Sequence, residues 1–168
     1  MNNHRFLENK FYNEIIFHIY NALPNLKKFY QFKESTDYED TNLSFDLVFN
    51  MNFTISVRIR KNKYIAYNDL TIRSKSLNNG KTEINKIMEG KAQIYFYAYM
   101  NKQENELVKI RISDIDSIRI LTNKKKYIKK TNNDGTEFFA YKFNQIQKTN
   151  GAIYKFDKNY NYERTTIL

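Results

Sequence analysis

Between Ala92 and Met100 the chain alternates two kinds of bulk: Ile94, Phe96 and Ala98 take one set of positions, and Tyr95, Tyr97 and Tyr99 take the other. At the two-residue period of a β-strand these sets face opposite ways. A strand with large side chains on both faces belongs inside a sheet covered above and below, so this one segment demands a layered fold. The tyrosines read either as a row covered by a helix or as an open platform for stacking bases, and the covered row is the preferred reading.

The other segments supply the layers. From Phe6 to Leu23, Leu7, Phe11, Ile15, Ile16, Ile19 and Leu23 recur at three- and four-residue intervals, the signature of an amphipathic helix ending near Pro24. The polar, acidic stretch 31–42, with Glu34, Asp37, Glu39 and Asp40, reads as a loop. Alternation over Leu43 to Phe49 and again at Ile55, Val57 and Ile59 predicts a hairpin, and Leu70 to Ser74 a third strand. Ile84, Ile87 and Met88 lie at helical spacing with Gly90 placed as a left-handed stop. Leu107 to Ile112 alternates again, and Ser113 with Asp116 fits a capping box that opens a helical turn. Asn133-Asp134-Gly135 marks a hairpin turn after a lysine-rich run, and Asn150-Gly151 a further turn before a strand over 152–156. The expected fold is α+β: a central mixed β-sheet flanked by an N-terminal helix and a second short helix, with a C-terminal basic β-hairpin.

A chain of 168 residues with 14 Tyr and 13 Phe has the material for one domain with a substantial core. It contains no cysteine, which removes disulfides, thiolate catalysis and thiolate zinc sites and suits a reducing compartment, here the cytoplasm. No apolar run approaches the roughly 20 residues that span a bilayer, and the N-terminus lacks a secretory signal, so neither a membrane nor export is expected. A net charge of +10 gives the surface a positive potential that speeds encounter with phosphate chains or acidic proteins. Heavy use of Lys, Asn, Ile and Tyr is also what an AT-rich coding sequence yields, so charge alone assigns no single lysine as a contact.

Several chemistries are poorly served. The two histidines, His4 and His18, do not share a helix face, so they read as surface or packing residues rather than a metal pair. No Gly-x-Ser-x-Gly turn, Gly-x-Gly-x-x-Gly fingerprint or Walker loop is present. Carboxylate-held Mg²⁺ chemistry is the enzymatic option left, with Asp46 its first candidate: a mid-strand acid that needs a partner if buried. Arg58 and Arg60 share the polar face of the following strand, and a cross-strand ion pair with Asp46 accounts for all three without any chemistry.

The order of helix, strand with Asp46 in Ser44-Phe45-Asp46-Leu47-Val48-Phe49, strand with Val57-Arg58-Ile59-Arg60-Lys61, helix and strand resembles the core of the PD-(D/E)XK restriction-endonuclease-like superfamily, over roughly residues 5–119. Residues 69–75 with Gly80-Lys81-Thr82-Glu83-Ile84 and Gly90 also look like small phage and prophage proteins of this type. The resemblance implies a metal-binding Asp at Asp46 and an acid-x-Lys pair at Arg58 and Arg60. Arg60 stands in for the lysine, whereas Arg58, a guanidinium with only donors, cannot replace a carboxylate ligand and would repel Mg²⁺. Glu14 on the first helix is the additional acid that some members place there, and Glu83 or Asp40 is left to supply the missing one. Residues 120–156 then form a hairpin extension and 157–168 a loose tail.

Three functions follow as expectations. The first is a catalytically degenerate phage or mobile-element protein that binds DNA or RNA. Its contacts are Arg58, Arg60, Arg73 and Lys75 on one face, and Lys124, Lys125, Lys126, Tyr127, Lys129 and Lys130 on the hairpin, where lysines neutralise phosphates and Tyr127 stacks. Lysines on an edge hairpin also keep a sheet from pairing with another chain. The second is an anti-defence, anti-CRISPR-like inhibitor of a host nuclease, with the acidic loop imitating phosphates. The third is a Mg²⁺-dependent nuclease that uses Asp46, Glu14 and Arg60 as catalytic residues.

Overall fold

The two-faced segment is a strand, Ile94–Met100, at the centre of the larger of two sheets. A computed structural model of the chain describes residues 10–25, 32–34, 47–49, 53–77, 80–158 and 160–163. In order the elements are α1 (Tyr12–Ala22), β1 (Phe32–Glu34), β2 (Leu47–Phe49), β3 (Phe53–Arg60), a 3-10 turn (Asn62–Tyr67), β4 (Asp69–Lys75), α2 (Glu83–Met88), β5 (Ile94–Met100) and β6 (Leu107–Asp114). There follow α3 (Ile115–Asn123), β7 (Ile128–Thr131), β8 (Glu137–Lys142), α4 (Phe143–Lys148), β9 (Ala152–Asp157) and β10 (Tyr160–Glu163).

The larger sheet runs β1-β2-β3-β5-β6-β9-β10, and the smaller β4-β8-β7. β3 and β5 are parallel, and every other pairing is antiparallel. The α+β class and the mixed central sheet are thus as the sequence indicates. Among the described residues no helix is long and apolar enough to cross a membrane.

Each face of β5 meets its own core. On one side Ile94, Phe96 and Ala98 join Ile55 and Ile59 of β3 and Ile110 and Ile112 of β6, and α1 covers them with Ile15 and Ile19, together with Phe11 at its N-cap. On the other, Tyr95, Tyr97 and Tyr99 pack under β4, α2, α3 and α4 through Leu70, Ile84, Ile118 and Ile146. None of the three tyrosines is more than 2% exposed. Tyr97 shares a hydrogen bond with Thr71 Oγ1 (2.9 Å), and Tyr99 donates to the Asp69 carbonyl (2.7 Å), so the row is a covered core and not a stacking platform.

Several elements differ from the sequence reading. The third strand, β4, is present but leaves the main sheet. It crosses to the second layer and pairs with β8, as Thr71 opposite Ala140 shows. The stretch read as an acidic loop includes β1, with Phe32 opposite Phe49, and the remainder of it lies outside the described residues. The cap of α3 is Asp114, whose carboxylate accepts from Ser117 N at 2.8 Å, while Ser113 is fully buried one residue earlier. α4 has no counterpart in the sequence reading, because two core contacts, Phe143 and Ile146, make too short a periodic signal. The basic hairpin β7–β8 forms, yet residues 120–156 do more than extend a core, since β9 is inserted in the main sheet between β6 and β10. Of the expected tail, 160–163 pair with β9.

His18 takes the packing role. It is buried in α1 with Nδ1 3.1 Å from the Tyr154 hydroxyl and its ring 4.7 Å from that of Phe156. His4 lies outside the described residues. Burial disfavours the imidazolium and lowers the His18 pKa to about 4. The unfolded chain therefore binds this proton more tightly, so the stabilisation is complete above about pH 6.5 and is lost as the pH falls toward 4. Urea unfolding is expected to show about 2 kcal/mol less stability at pH 5 than at pH 7.5 from this residue. The same comparison in His18→Gln is expected to be nearly flat, and an unchanged slope in that variant would reject the assignment.

Candidate nucleic-acid interface

The register of β3, β5 and β6 sets the polar chemistry of the second layer. Across the three strands the rows read Ser56-Tyr95-Ser113, Arg58-Tyr97-Arg111 and Arg60-Tyr99-Lys109. Strand alternation aims all of these side chains at the layer formed by β4 and the helices. Four cations therefore lie at or beneath a covering layer, where each charge is costly unless compensated.

Arg58 is 9% exposed and its Nη1 donates to Glu83 Oε2 at 2.8 Å. Glu83 opens α2 and also accepts from the Tyr95 hydroxyl (2.5 Å) and from Arg73 N (3.2 Å). Burial, and next the Glu83 carboxylate, push the Tyr95 hydroxyl well above its usual range, so it stays protonated and donates. Arg111 is matched by Asp157 of β9, both of whose oxygens lie 2.9 Å from Nη2. Arg60 stacks on the Tyr64 ring at 4.4 Å, half-buried. Arg58, Arg60, Arg73 and Lys75 consequently do not form one open positive face. β4 and α2 lie over Arg58, Arg73 is half-buried, and only Lys75 is exposed.

Of the residues expected at a Mg²⁺ site, those described, Glu14, Arg60 and Glu83, are not gathered. Glu14 lies on α1, on the opposite side of the main sheet from Arg60, and its Oε1 accepts from Leu107 N at 3.0 Å. Burial raises the pKa of Glu14 in spite of that bond. Glu83 is saturated by three donors, the first of them a guanidinium that would compete with a metal ion. Asp46 and Asp40 lie outside the described residues. Among the described residues no group of three or more His, Asp or Glu is placed to hold a metal ion. Glu14 and Glu83, as placed, do not together fit the metal site that the nuclease resemblance implies.

The lysine-rich run is divided by the fold. Lys124 caps α3, Lys125 takes φ 52°, and Lys125 N and Lys126 N return to Thr122 O (2.9 Å) and Leu121 O (2.8 Å). This is a Schellman-type stop with lysine where glycine is usual, and its positive charges complement the helix C-terminus. Lys124, Lys125 and Lys126 are all exposed, and none forms an ion pair with another described residue. Tyr127 is not available for bases, since its ring stacks on Phe139 at 3.8 Å and 19°. Lys129 pairs with Glu137 (2.8 Å) and Lys130 with the buried carboxylate of Asp69 (2.7 Å).

No family model, no curated protein and no solved structure matches the chain. The turn Lys124-Lys125-Lys126 beside the outer strand β7 carries three consecutive exposed lysines with no ion pair to a described residue, and Lys75 lies at the far end of the smaller sheet, opposite Glu137.

Proposed function

We propose that the protein binds nucleic acid without cleaving it, through backbone phosphates met by Lys124, Lys125 and Lys126. The observation that carries this reading is the contrast in how cations are used. Arg58, Arg111, Lys129 and Lys130 are each matched to a carboxylate within the fold, whereas three consecutive exposed lysines are held in a fixed turn with no ion pair to a described residue. Unmatched cations in a rigid turn suit displacement of counterions from a phosphate chain. The placement of Glu14 and Arg60 on opposite faces, and the commitment of Glu83 to Arg58, favour binding over metal-dependent hydrolysis.

The test is a salt series from about 50 to 200 mM with labelled single- and double-stranded DNA and RNA, with and without Mg²⁺. The variant Lys124→Gln/Lys125→Asn/Lys126→Gln is expected to weaken binding at every sequence and to make the log-log salt slope shallower by roughly 2–3. Unaltered affinity and slope in the triple variant would remove the lysine turn from the interface. Cleavage that requires Mg²⁺ would overturn the non-catalytic reading, and absence of binding at low salt would direct attention to a protein partner.

A further inference from the structure

The third row of the polar grid is unlike the second. In the row Arg58-Tyr97-Arg111 each arginine has a carboxylate, Glu83 or Asp157. In the row Arg60-Tyr99-Lys109 neither cation forms an ion pair with a described residue. Lys109 is half-buried, and its only hydrogen bond among the described residues is a long one, 3.3 Å, to the Ile65 carbonyl. An ammonium in that position is short of acceptors.

This row ends at an open groove of about 500 Å³, a volume in the range of small-ligand sites. The groove lies where the parallel strands β3 and β5 end, with Asn62 just past one carboxyl end and Asn101 just past the other. Among the described residues Lys102, Lys109 and Lys158 line it against a single carboxylate, Asp157, which is already held by Arg111. Lys158 pairs with Glu106, while Lys102 is exposed and forms no ion pair with a described residue. Asn62 and Gln103 add carboxamides, and Ile65 and Val108 supply apolar wall for the remainder of a ligand.

We propose that this groove binds a phosphate monoester, with Lys109 and Lys102 as its principal cationic contacts and a ligand body about the size of one nucleotide. The site is separate from the lysine turn and does not depend on it. Two sources present the same chemistry: a free mononucleotide and the 5′-phosphorylated end of a strand. Burial, and next the neighbouring Arg111, lower the affinity of Lys109 for its proton, and a bound dianion opposes that effect.

Calorimetric titration of the full chain with thymidine monophosphate and with thymidine tests the proposal. The monophosphate is expected to bind and thymidine to bind at least tenfold more weakly. Lys109→Gln and, independently, the surface variant Lys102→Gln are expected to reduce monophosphate affinity, the first by about tenfold or more, the loss of a charge-assisted hydrogen bond. Equal binding of the two compounds, or unchanged affinity in both variants, overturns the site. An oligonucleotide with a 5′-phosphate that binds more tightly than its 5′-hydroxyl counterpart, by a factor that Lys109→Gln abolishes, identifies the strand end as the source. Monophosphate binding with no such difference identifies the free nucleotide. The lysine-turn triple variant is expected to bind the monophosphate normally, so loss of strand binding and loss of the groove are separately visible.

Discussion

Glu83→Ala is expected to cost about 3–5 kcal/mol of stability, the range for removing one partner of a buried ion pair. The Glu83 carboxylate accepts from three donors that the fold has taken out of water: Arg58 Nη1, the Tyr95 hydroxyl and Arg73 N. Alanine removes the acceptor and leaves the guanidinium charge in place, because an arginine in a protein does not release its proton. The loss is a large part of the 5–15 kcal/mol that holds a typical domain, so urea unfolding at pH 7 should show a markedly lower midpoint with the same slope. The double variant Arg58→Met/Glu83→Leu is expected to recover most of the loss, since it removes the charge along with its partner. A single variant within about 1 kcal/mol of the parent would mean that Glu83 is not the hub of the second layer.

Gly151→Ala is expected to destabilise by about 3 kcal/mol, at the upper end of the overpacking range. The reason is steric and has nothing to do with backbone freedom. A Cβ on Gly151 would lie 1.7 Å from Ser117 Oγ, 2.2 Å from Ser117 Cβ and 3.0 Å from Asp114 Oδ2. The last two belong to the first turn of α3 and to its cap, and Gly151 O also accepts from Asp114 N at 2.9 Å. The clash therefore falls on the junction where β6, α3 and β9 meet. Rotating the serine hydroxyl cannot relieve it, because Ser117 Cβ is itself too close. Ser117→Gly placed on Gly151→Ala is expected to raise the melting temperature of the single variant despite glycine's poor helix propensity. A Gly151→Ala protein that melts with the parent would show that the two segments do not approach as closely as this.

These two residues show what is legible in a sequence of this kind. β5 was legible because a strand with apolar and tyrosine faces has only one place in a layered fold. The hairpin β7–β8 was legible because Asn133-Asp134-Gly135 is turn chemistry, and Gly135 does adopt φ 81°. Asn150-Gly151 reads as a turn for an incomplete reason: Asn150 takes the left-handed conformation, at φ 59°, and the glycine is needed for the close approach to Ser117. The position of β4 was not legible, since Leu70, Ile72 and their neighbours alternate identically whichever sheet they join. The same holds for the cations. Period two places Arg58 and Arg60 on one face of β3, and Lys109 and Arg111 on one face of β6, but whether a face is wet depends on what crosses it. Glu83 stood out only as a spare acid, because a carboxylate at a helix start reads as favourable to the helix dipole before it reads as a counter-ion. The groove beside Lys109 is assembled from four separate stretches of chain, and no local pattern announces it.

The pairing of β4 with β8 also governs when the molecule can be completed during synthesis. Thr71 finds Ala140 and Leu70 finds Tyr141 only after about 70 further residues have been made, which takes several seconds at roughly 5–20 residues per second. Contacts this distant along the chain raise its contact order and place the smaller sheet late in folding. Until then Leu70 and Ile72, which end fully buried, are available to any other strand. Arg73 and Lys75 follow them directly, and charges flanking an apolar strand act as gatekeepers against that pairing. On this view the cations of β4 protect the nascent chain before they have any neighbour in the native one.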